Sequence, residues 1–212
     1  IITISGILFI VALFGLFKID YNASVLEDLK PGNPLYDDLQ YVEQKMGGTL
    51  PLEVIIDTKS ENGSLQPQFL SKILNYKEMI LKTPEINTAV TPGDYLMLAN
   101  EEWGDGIRQL PNSLNDALSF TVDFDPVQAL LNEDYSKTRI SCRISDLPFD
   151  RGMQIREDIL LAGHKLFGEN IDINVTGSTL LALSTGRHLV KNLTTSFFIA
   201  FIIIFLSIVF LF

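Results

Sequence analysis

Acidic side chains are the first residues of this sequence that could do chemistry. Asp123 and Asp125 are spaced as in the opening of a calcium-binding loop, in which alternate carboxylates supply oxygen ligands. The pattern then fails, because Val127 occupies the position of the third oxygen ligand and no glycine follows it. The spacing therefore predicts no calcium site.

A second group of carboxylates comprises Glu101, Glu102 and Asp105. Paired carboxylates catalyse acid–base reactions when a pocket raises the pKa of one of them. Acidic residues clustered in a polar stretch are more often solvated loop residues, and we interpret this group in that way.

The remaining candidates are two histidines, His164 and His188, and one cysteine. His164 lies beside the apolar stripe of a predicted helix, which favours a partly exposed helix residue. Cys142 shares its side of a predicted strand with Ile140 and Ile144, so we expect a small buried hydrophobic residue. The sequence contains no nucleophile–base arrangement, glycine-rich phosphate loop or cluster of metal ligands. We therefore expect neither an enzyme nor a cofactor or metal site.

Charge is distributed unevenly along the 212 residues. Every charged residue lies between Lys18 and Lys191, whereas both ends are apolar. A helix of about 20 apolar residues crosses the hydrocarbon core of a bilayer. The sequence therefore predicts membrane helices at 1–19 and 192–212, with a folded domain at 20–191. The first run is short and opens on Ile1 rather than on methionine, and the second run ends at Phe212 without a polar flank. We therefore expect an excerpt of a longer protein in which the second helix is truncated.

The formal net charge of −10 is carried by residues 18–191, and all of the acidic residues lie between the predicted membrane helices. A strongly acidic domain is repelled by nucleic acid and by anionic lipid surfaces, so neither is an expected target of that domain. Because both ends of the domain enter predicted spans, we expect the domain to lie across the membrane from the two outer ends of the chain.

A cluster of basic residues lies about one helical turn above the second predicted span. Arg187, His188 and Lys191 are candidates for contact with lipid head groups. The alternative is interfacial snorkelling that only fixes the depth of the helix, and both roles can hold together. Within the span, Ser196 and Ala200 place small residues four apart, which permits close packing against another membrane helix.

The region between the spans alternates strand and helix patterns. An amphipathic helix is predicted to begin at Asn33-Pro34 and to end at Gly47-Gly48. The helix that follows the first strand carries Leu70, Ile73, Leu74 and Leu81 as its apolar stripe. The predicted strands are 52–57, 86–90, 138–145 and 171–176, and the helices between them are 67–82 and 150–167.

This order gives two β-α-β units of similar length. If they share one sheet, the fold class is α+β, a ferredoxin-like βαββαβ sandwich with a mostly antiparallel sheet and both helices on one face. The alternative is an accidental similarity between two common β-α-β units. The central stretch at 93–134 lacks sheet alternation and is predicted to form helices and loops.

The junction between the last strand and the second span contains further candidates. A helix predicted to begin near Ser178 continues toward the membrane, and Gly177 just before it is a candidate hinge because glycine tolerates unusual backbone angles. Leu180, Leu181 and Leu183 give this helix apolar surface above the bilayer. They are candidates for a substrate path, and the alternative is that they pack on the sheet.

Three stretches together resemble the first membrane helix, first extracytoplasmic loop and second membrane helix of a resistance–nodulation–division transporter. They are the segment 26–34 leading into the amphipathic helix, the strand at 52–57, and the segment 173–178 followed by a polar helix with Arg187 and Lys191. Each motif is weak alone. Their order and spacing over essentially the whole chain carry the resemblance.

The resemblance implies an exporter of lipids or other hydrophobic or amphipathic molecules in the inner membrane, with a porter-like extracytoplasmic domain. The loop is shorter than in multidrug pumps, which insert a docking subdomain. The implied partners are membrane lipids and the remaining membrane helices and second loop of the parent protein. The resemblance also allows a homo-oligomer. The proton-carrying carboxylates of that family lie in later membrane helices, so we expect them outside this chain.

A different class of protein gives the same order of span, domain and span. A two-span signalling receptor carries an extracytoplasmic ligand-binding sensor domain between its membrane helices. Sensor domains are often all-helical or have a long helix at the centre of their fold, so two β-α-β units favour the transporter.

Overall fold

The computed structural model describes Val11, Gly15 and residues 33–211. The first predicted membrane helix, at 1–19, lies outside the described residues apart from Val11 and Gly15. The elements, in chain order, are α1 (Pro34–Met46), β1 (Leu50–Asp57), a short 3-10 helix (Gly63–Leu65), α2 (Pro67–Ile80), β2 (Ile86–Val90), α3 (Pro92–Trp103), α4 (Leu114–Val122), α5 (Asp125–Gln128), β3 (Lys137–Ile144), α6 (Phe149–Phe167), β4 (Asp172–Thr176) and α7 (Ser178–Leu211).

Helix α1 has the caps that the sequence predicts. The Asn33 side chain accepts a hydrogen bond from the Leu35 amide at 3.0 Å, and Pro34 occupies the first turn. Gly48 lies so close to Ile144 that an added Cβ would be 2.6 Å from the Ile144 carbonyl oxygen. The Glu43 carboxylate accepts a hydrogen bond from the Asp146 amide at 3.0 Å. The C-terminal end of α1 is therefore fixed to the end of β3.

The four strands form a single sheet in the order β2-β3-β1-β4, and every neighbouring pair is antiparallel. In the register, Val54 faces Ile140 on one side and Val175 on the other. The two β-α-β units therefore share one sheet, as predicted, and each unit places a strand between the two strands of the other. The strand bounds differ from the predicted ones by at most two residues.

Helices α2 and α6 cover one face of this sheet and form the main core with it. The inward side chains of β1 and β3, among them Val54 and Ile140, share one hydrophobic core with Ile73 on α2 and Ile159 on α6. The buried Tyr76 hydroxyl on α2 donates a hydrogen bond to the Ile159 carbonyl oxygen at 2.7 Å, and burial raises the pKa of this phenol. The expected α+β architecture, with both helices on one face, is confirmed.

The opposite face of the sheet is polar and open. Arg139, Arg143 and Asn174 are exposed there. Between them, the Glu53 carboxylate accepts a hydrogen bond from the Ser141 hydroxyl at 2.9 Å. The alternation of buried and polar residues predicted for β3 is therefore present in the structure.

Residues 91–136, which connect β2 to β3, form a helical layer that we call the insert. Its helices α3, α4 and α5 pack around a second core that contains Leu96, Ala117 and Val127. Leu70 on α2 belongs to this second core, so α2 is buried on two sides. Helix α3 begins with a capping box between Thr91 and Asp94. The predicted helices and loops of the central stretch are confirmed.

Helix α7 runs without a break from Ser178 to Leu211. At 1.5 Å per residue it is about 50 Å long. Its segment Ser178–Ile208 is long and apolar enough to cross a membrane, and it is the one such helix among the described residues.

Candidate functional site at the junction of the sheet and helix α7

Gly177 occupies a position where only glycine fits. Its φ is +128°, a backbone conformation that other residues rarely adopt. A Cβ added to Gly177 would lie 2.8 Å from the Pro51 carbonyl oxygen and 3.2 Å from the Leu52 Cα, both on β1. Close approach to β1 therefore explains this glycine, and its role as a hinge stays a prediction.

The first turn of α7 is also fixed to β1 by a side chain. The Thr179 hydroxyl is buried and donates a hydrogen bond to the Pro51 carbonyl oxygen at 2.6 Å. The link joins residues that are far apart in the chain, so no local pattern in the sequence could have predicted it. The start of α7 is therefore joined to β1 both by the close backbone approach at Gly177 and by a side-chain hydrogen bond from Thr179.

The three candidate leucines of α7 separate into two groups. Leu180 and Leu183 are buried, with 9% and 7% of their surface exposed, whereas Leu181 is 68% exposed. Gly152 on α6 makes room for the buried pair, because a Cβ there would lie 3.0 Å from the Leu183 Cδ1. A glycine inside a predicted helix is the one sequence signal for this close contact. Leu180 and Leu183 therefore pack against the domain, and Leu181 faces outward.

Arg187 contacts the N-terminal end of α6 rather than pointing freely into solvent. Its guanidinium carbon lies 4.6 Å from the centre of the Phe149 ring, and its Nη1 is 3.4 Å from an Asp150 carboxylate oxygen. An arginine over an aromatic face is attracted by the negative face of the ring. Arg187 therefore forms a second contact between α7 and α6, further along the helix than Leu183.

His188 and Lys191 are exposed, and the side chain of neither forms a hydrogen bond or ion pair with another residue of the described range 33–211. Both lie near the point at which the charge-free part of α7 begins. The basic cluster is therefore divided, with Arg187 bound to the domain and the other two side chains accessible. Contact with lipid head groups stays a prediction for all three residues.

The other residues considered from the sequence lie elsewhere in the fold. Within the described part of the chain, no group of three His, Cys, Asp or Glu side chains is arranged to hold a metal ion. Asp123 and Asp125 are exposed residues of the insert. Cys142 is buried, as predicted, and burial raises the pKa of its thiol to about 12. His164 is half-buried on α6.

The chain was compared with models of known protein families and with curated proteins, and nothing in either matches it. The resemblance to resistance–nodulation–division transporters therefore rests on the order and spacing of the motifs alone.

Proposed function

We propose that this chain is an extracytoplasmic domain with its membrane anchor, and that it belongs to an inner-membrane exporter of lipids or other hydrophobic or amphipathic molecules. In this proposal the domain is a ferredoxin-like βαββαβ sandwich, and the insert is an addition between its second and third strands. The proton-motive force acts through residues outside this chain. The observation that carries the proposal is the unbroken helix that joins the sheet to a membrane-length apolar segment.

The contacts at the junction make α7 suitable as a lever. The helix is held at Thr179 through β1, at Leu183 through α6, and at Arg187 through the Phe149 ring. About 16 residues separate Gly177 from the charge-free part of the helix, which corresponds to roughly 24 Å at the helical rise. A tilt of about 10° over that length displaces the domain by roughly 4 Å. Movement of the membrane helix is thus coupled to the sheet without a flexible linker.

A line of exposed residues on α7 supports a path for an apolar substrate. Leu181, Leu189 and Leu193 are all more than half exposed and lie at helical spacings of eight and four, which place them on one side of the helix. The line runs from the charge-free part of α7, which begins after Lys191, toward the domain. A lipid or amphipathic molecule leaving the bilayer could contact these leucines in succession, whereas Leu180 and Leu183 serve packing.

The second candidate function is a sensor domain of a two-span receptor, and the same rigid helix favours it. A receptor would also transmit tilt through α7, in the opposite direction, from a bound ligand to the membrane. The two proposals differ in whether the exposed leucines contact a transported molecule, which only an exporter requires.

Gly186 offers a direct test of the lever. It is exposed on α7, and an added Cβ there would have no atom within 4 Å. Gly186→Ala should therefore be accommodated and should favour the helix by about 0.5–1 kcal/mol. Gly186→Pro removes a backbone hydrogen bond and distorts the helix, at a cost of about 3 kcal/mol. The two variants change the same position and differ in whether they preserve a rigid connection.

The measurement is export of a fluorescent phospholipid analogue by the intact parent protein in proteoliposomes. We expect Gly186→Pro to lose most export and Gly186→Ala to retain it. We also expect Leu181→Ser to reduce export, with Leu161→Ser as its control, because Leu161 is an equally exposed leucine on α6. Normal export by a correctly inserted Gly186→Pro protein would exclude the lever. The absence of export by the unaltered protein would favour the sensor.

A further inference from the structure

The negative charge of the protein is concentrated in the insert. Residues 91–136 contain nine carboxylates and a single basic residue, Arg108, so the insert carries a net charge of −8 out of the −10 of the chain. Four of the nine have partners within the chain, because Asp94 pairs with Lys77 at 2.6 Å, Asp116 bonds Ser113, Asp134 bonds Ser136, and Glu101 lies 3.8 Å from Arg108 in an exposed pair. The other five are exposed: Glu102, Asp105, Asp123, Asp125 and Glu133.

Large apolar side chains are exposed among these carboxylates. Trp103, Ile107 and Val122 have 58%, 57% and 63% of their surface exposed. They come from the end of α3, the following loop and the end of α4. We call this surface, residues 101–108 and 119–125, the acidic tip.

The acidic tip is held in shape before any partner binds. The Trp103 and Phe124 rings lie edge to face with centres 5.3 Å apart. The Asn100 side chain is buried and donates hydrogen bonds to the carbonyl oxygens of Ile107 and Gln109, at 3.4 and 3.2 Å, which fixes the loop. A shallow cleft of about 400 Å³ opens between Trp103, Ser119, Phe120 and Asp123. A surface ordered in this way loses little conformational entropy when a partner binds.

We propose that the acidic tip is a docking site for a basic segment of another polypeptide that carries an apolar or aromatic anchor residue. The anchor would fill the cleft beside Trp103, and lysine or arginine side chains would pair with the surrounding carboxylates. Exposed tryptophan at the centre of a polar rim is typical of residues that dominate binding energy at protein interfaces. The dense negative field would steer a basic partner toward the tip.

The extent of the apolar surface favours a polypeptide over a small ligand. A small organic cation in the cleft would contact Trp103 and Phe120 but would leave Ile107 and Val122 exposed to water. A polypeptide segment can cover all three protruding side chains. The charge of the tip repels nucleic acid and anionic lipid. The proposal is independent of transport, since none of these residues belongs to the junction.

A second copy of this chain is a weaker fit to the tip. On the open face of the sheet, Lys137 pairs with Asp57 at 3.0 Å. At the edge of the same sheet, Lys59 pairs with Asp172 at 3.0 Å. Arg139 and Arg143 are the exposed cations of that face that form no ion pair with another described residue. Two arginines beside Glu53 give that face little net positive charge, so we assign the tip to a different, more basic polypeptide.

The test uses the full chain in nanodiscs of zwitterionic lipid. The probes are a dye-labelled arginine-rich peptide with one central phenylalanine, and the same peptide with glutamate in place of arginine. Fluorescence anisotropy measures binding, with empty nanodiscs as a blank. Because Trp103 is the single tryptophan of the chain, its emission independently reports contact at the cleft.

We expect the basic peptide to bind and to shift the Trp103 emission, with an affinity that falls about tenfold between low and high salt. Trp103→Ala and Val122→Ser should each weaken binding about tenfold or more. Leu161→Ser, the exposed control on α6, should leave it unchanged. The glutamate peptide should not bind.

Four results would overturn the proposal. The first is equal binding by Val122→Ser and Leu161→Ser, and the second is equal binding of the acidic and basic peptides. The third is a response of Trp103 to tetraphenylphosphonium but not to the basic peptide, which would make the cleft a site for small cations. The fourth is a protein that is oligomeric by light scattering and is dissociated by Trp103→Ala, which would make the occupant a second copy.

Discussion

The junction and the acidic tip are held in place by different kinds of contact. At the junction, the backbone of Gly177 lies directly against the backbone of β1, and the Thr179 hydroxyl binds a β1 carbonyl group. At the tip, a surface loop is held by the Asn100 side chain, and the functional candidates protrude into solvent. Backbone contact suits a connection that must transmit movement. A surface loop that is held by a buried side chain suits recognition, because the exposed residues of the loop can change without disturbing the core.

The two regions should differ most in the free energy of unfolding that is lost when a methyl group is added to a glycine in each of them. Gly177→Ala places a Cβ 2.8 Å from the Pro51 carbonyl oxygen at an unfavourable φ, so we expect a loss of about 4 kcal/mol from strain and overpacking together. Gly106→Ala in the tip also has a positive φ, of +69°, but its Cβ would meet no atom within 4 Å. We expect a loss of only about 1 kcal/mol there.

Urea unfolding of the full chain in detergent, followed by circular dichroism, gives both values. Comparable losses for the two alanine variants would show that backbone angle, and not close packing against β1, dominates at Gly177. That result would break the distinction between the two regions and would favour Gly177 as a hinge.

A smaller difference in stability is expected when a buried hydroxyl group is removed from each region, because one hydroxyl forms a long-range hydrogen bond and the other a local one. Tyr76→Phe removes a hydrogen bond that joins α2 to α6, and we expect it to cost about 1 kcal/mol. Thr121→Val, in the insert, removes a bond from the Thr121 hydroxyl to the Ala117 carbonyl oxygen four residues earlier in the same helix. Such a bond adds little to helix stability, so we expect a change within about 0.5 kcal/mol.

The free energies of unfolding of these two variants should be compared with that of the unaltered chain under one set of conditions. If Thr121→Val is as damaging as Tyr76→Phe, the insert is packed as strictly as the sheet layer. Tolerance of substitutions would then distinguish only the exposed tip, and not the whole insert, from the sheet layer.

The sheet could be predicted from the sequence because one of its faces is exposed to solvent, so polar and buried residues alternate along a strand. In β3, Arg139 and Arg143 alternate with Ile140 and Cys142, and only a strand with one buried face gives that period. The stripe predicted for α2 was less accurate. It contained Leu70 and Ile73, which belong to different cores, because the insert buries a second side of the helix.

The predicted stripe of α2 also missed Phe69, Tyr76 and Ile80, which pack on the sheet. A single apolar period cannot describe a helix that contacts a sheet on one side and a helical layer on the other. The insert itself could be predicted as helical, but its packing on α2 depends on contacts between distant parts of the chain.

The junction could be located from the sequence but not described. Gly177 was proposed as a hinge because glycine is flexible, whereas the structure gives it a neighbour, Pro51, that leaves no room for a side chain. The partners that decide this, Pro51 for Thr179 and Gly152 for Leu183, are separated from them by long stretches of chain. Local patterns show which residues are unusual, and only the fold shows what they contact.

Acid should destabilise the sheet layer through carboxyl groups whose pKa is lowered in the folded structure. The Arg151 guanidinium donates hydrogen bonds to Glu85 and holds the pKa of that carboxyl below its usual value. A hydrogen bond from the Lys59 amide, followed by one from Lys137, lowers the pKa of Asp57. A carboxyl whose pKa is lower in the folded state contributes stability above its unfolded pKa, and this contribution is lost as the pH falls through the folded value.

We therefore expect the urea midpoint to fall as the pH drops below the ordinary glutamate value of 4.5. Arg151→Met removes the main cause of the shift at Glu85, so its midpoint should depend less on pH over that window. The matched control is Arg108→Met in the tip, because Arg108 lies 3.8 Å from Glu101 in an exposed pair. If Arg108→Met flattened the pH dependence as much, the edges of the sheet would not be the source of acid sensitivity.

A small effect is also expected for Arg187, which tests how much of the junction depends on side chains. Its ion pair with Asp150 is exposed, and such pairs contribute at most about 1 kcal/mol. Stacking on Phe149 adds about 0.5–1 kcal/mol at an exposed site. Arg187→Lys keeps the charge but loses the planar group that stacks, so it should cost less than about 1 kcal/mol, and Arg187→Ala only slightly more. Both losses should be far below that of Gly177→Ala in the same unfolding measurement. A loss of several kcal/mol for Arg187→Lys would mean that α7 is held mainly by this contact with α6 and not by the backbone of β1, and the lever would then pivot at Gly177 after all.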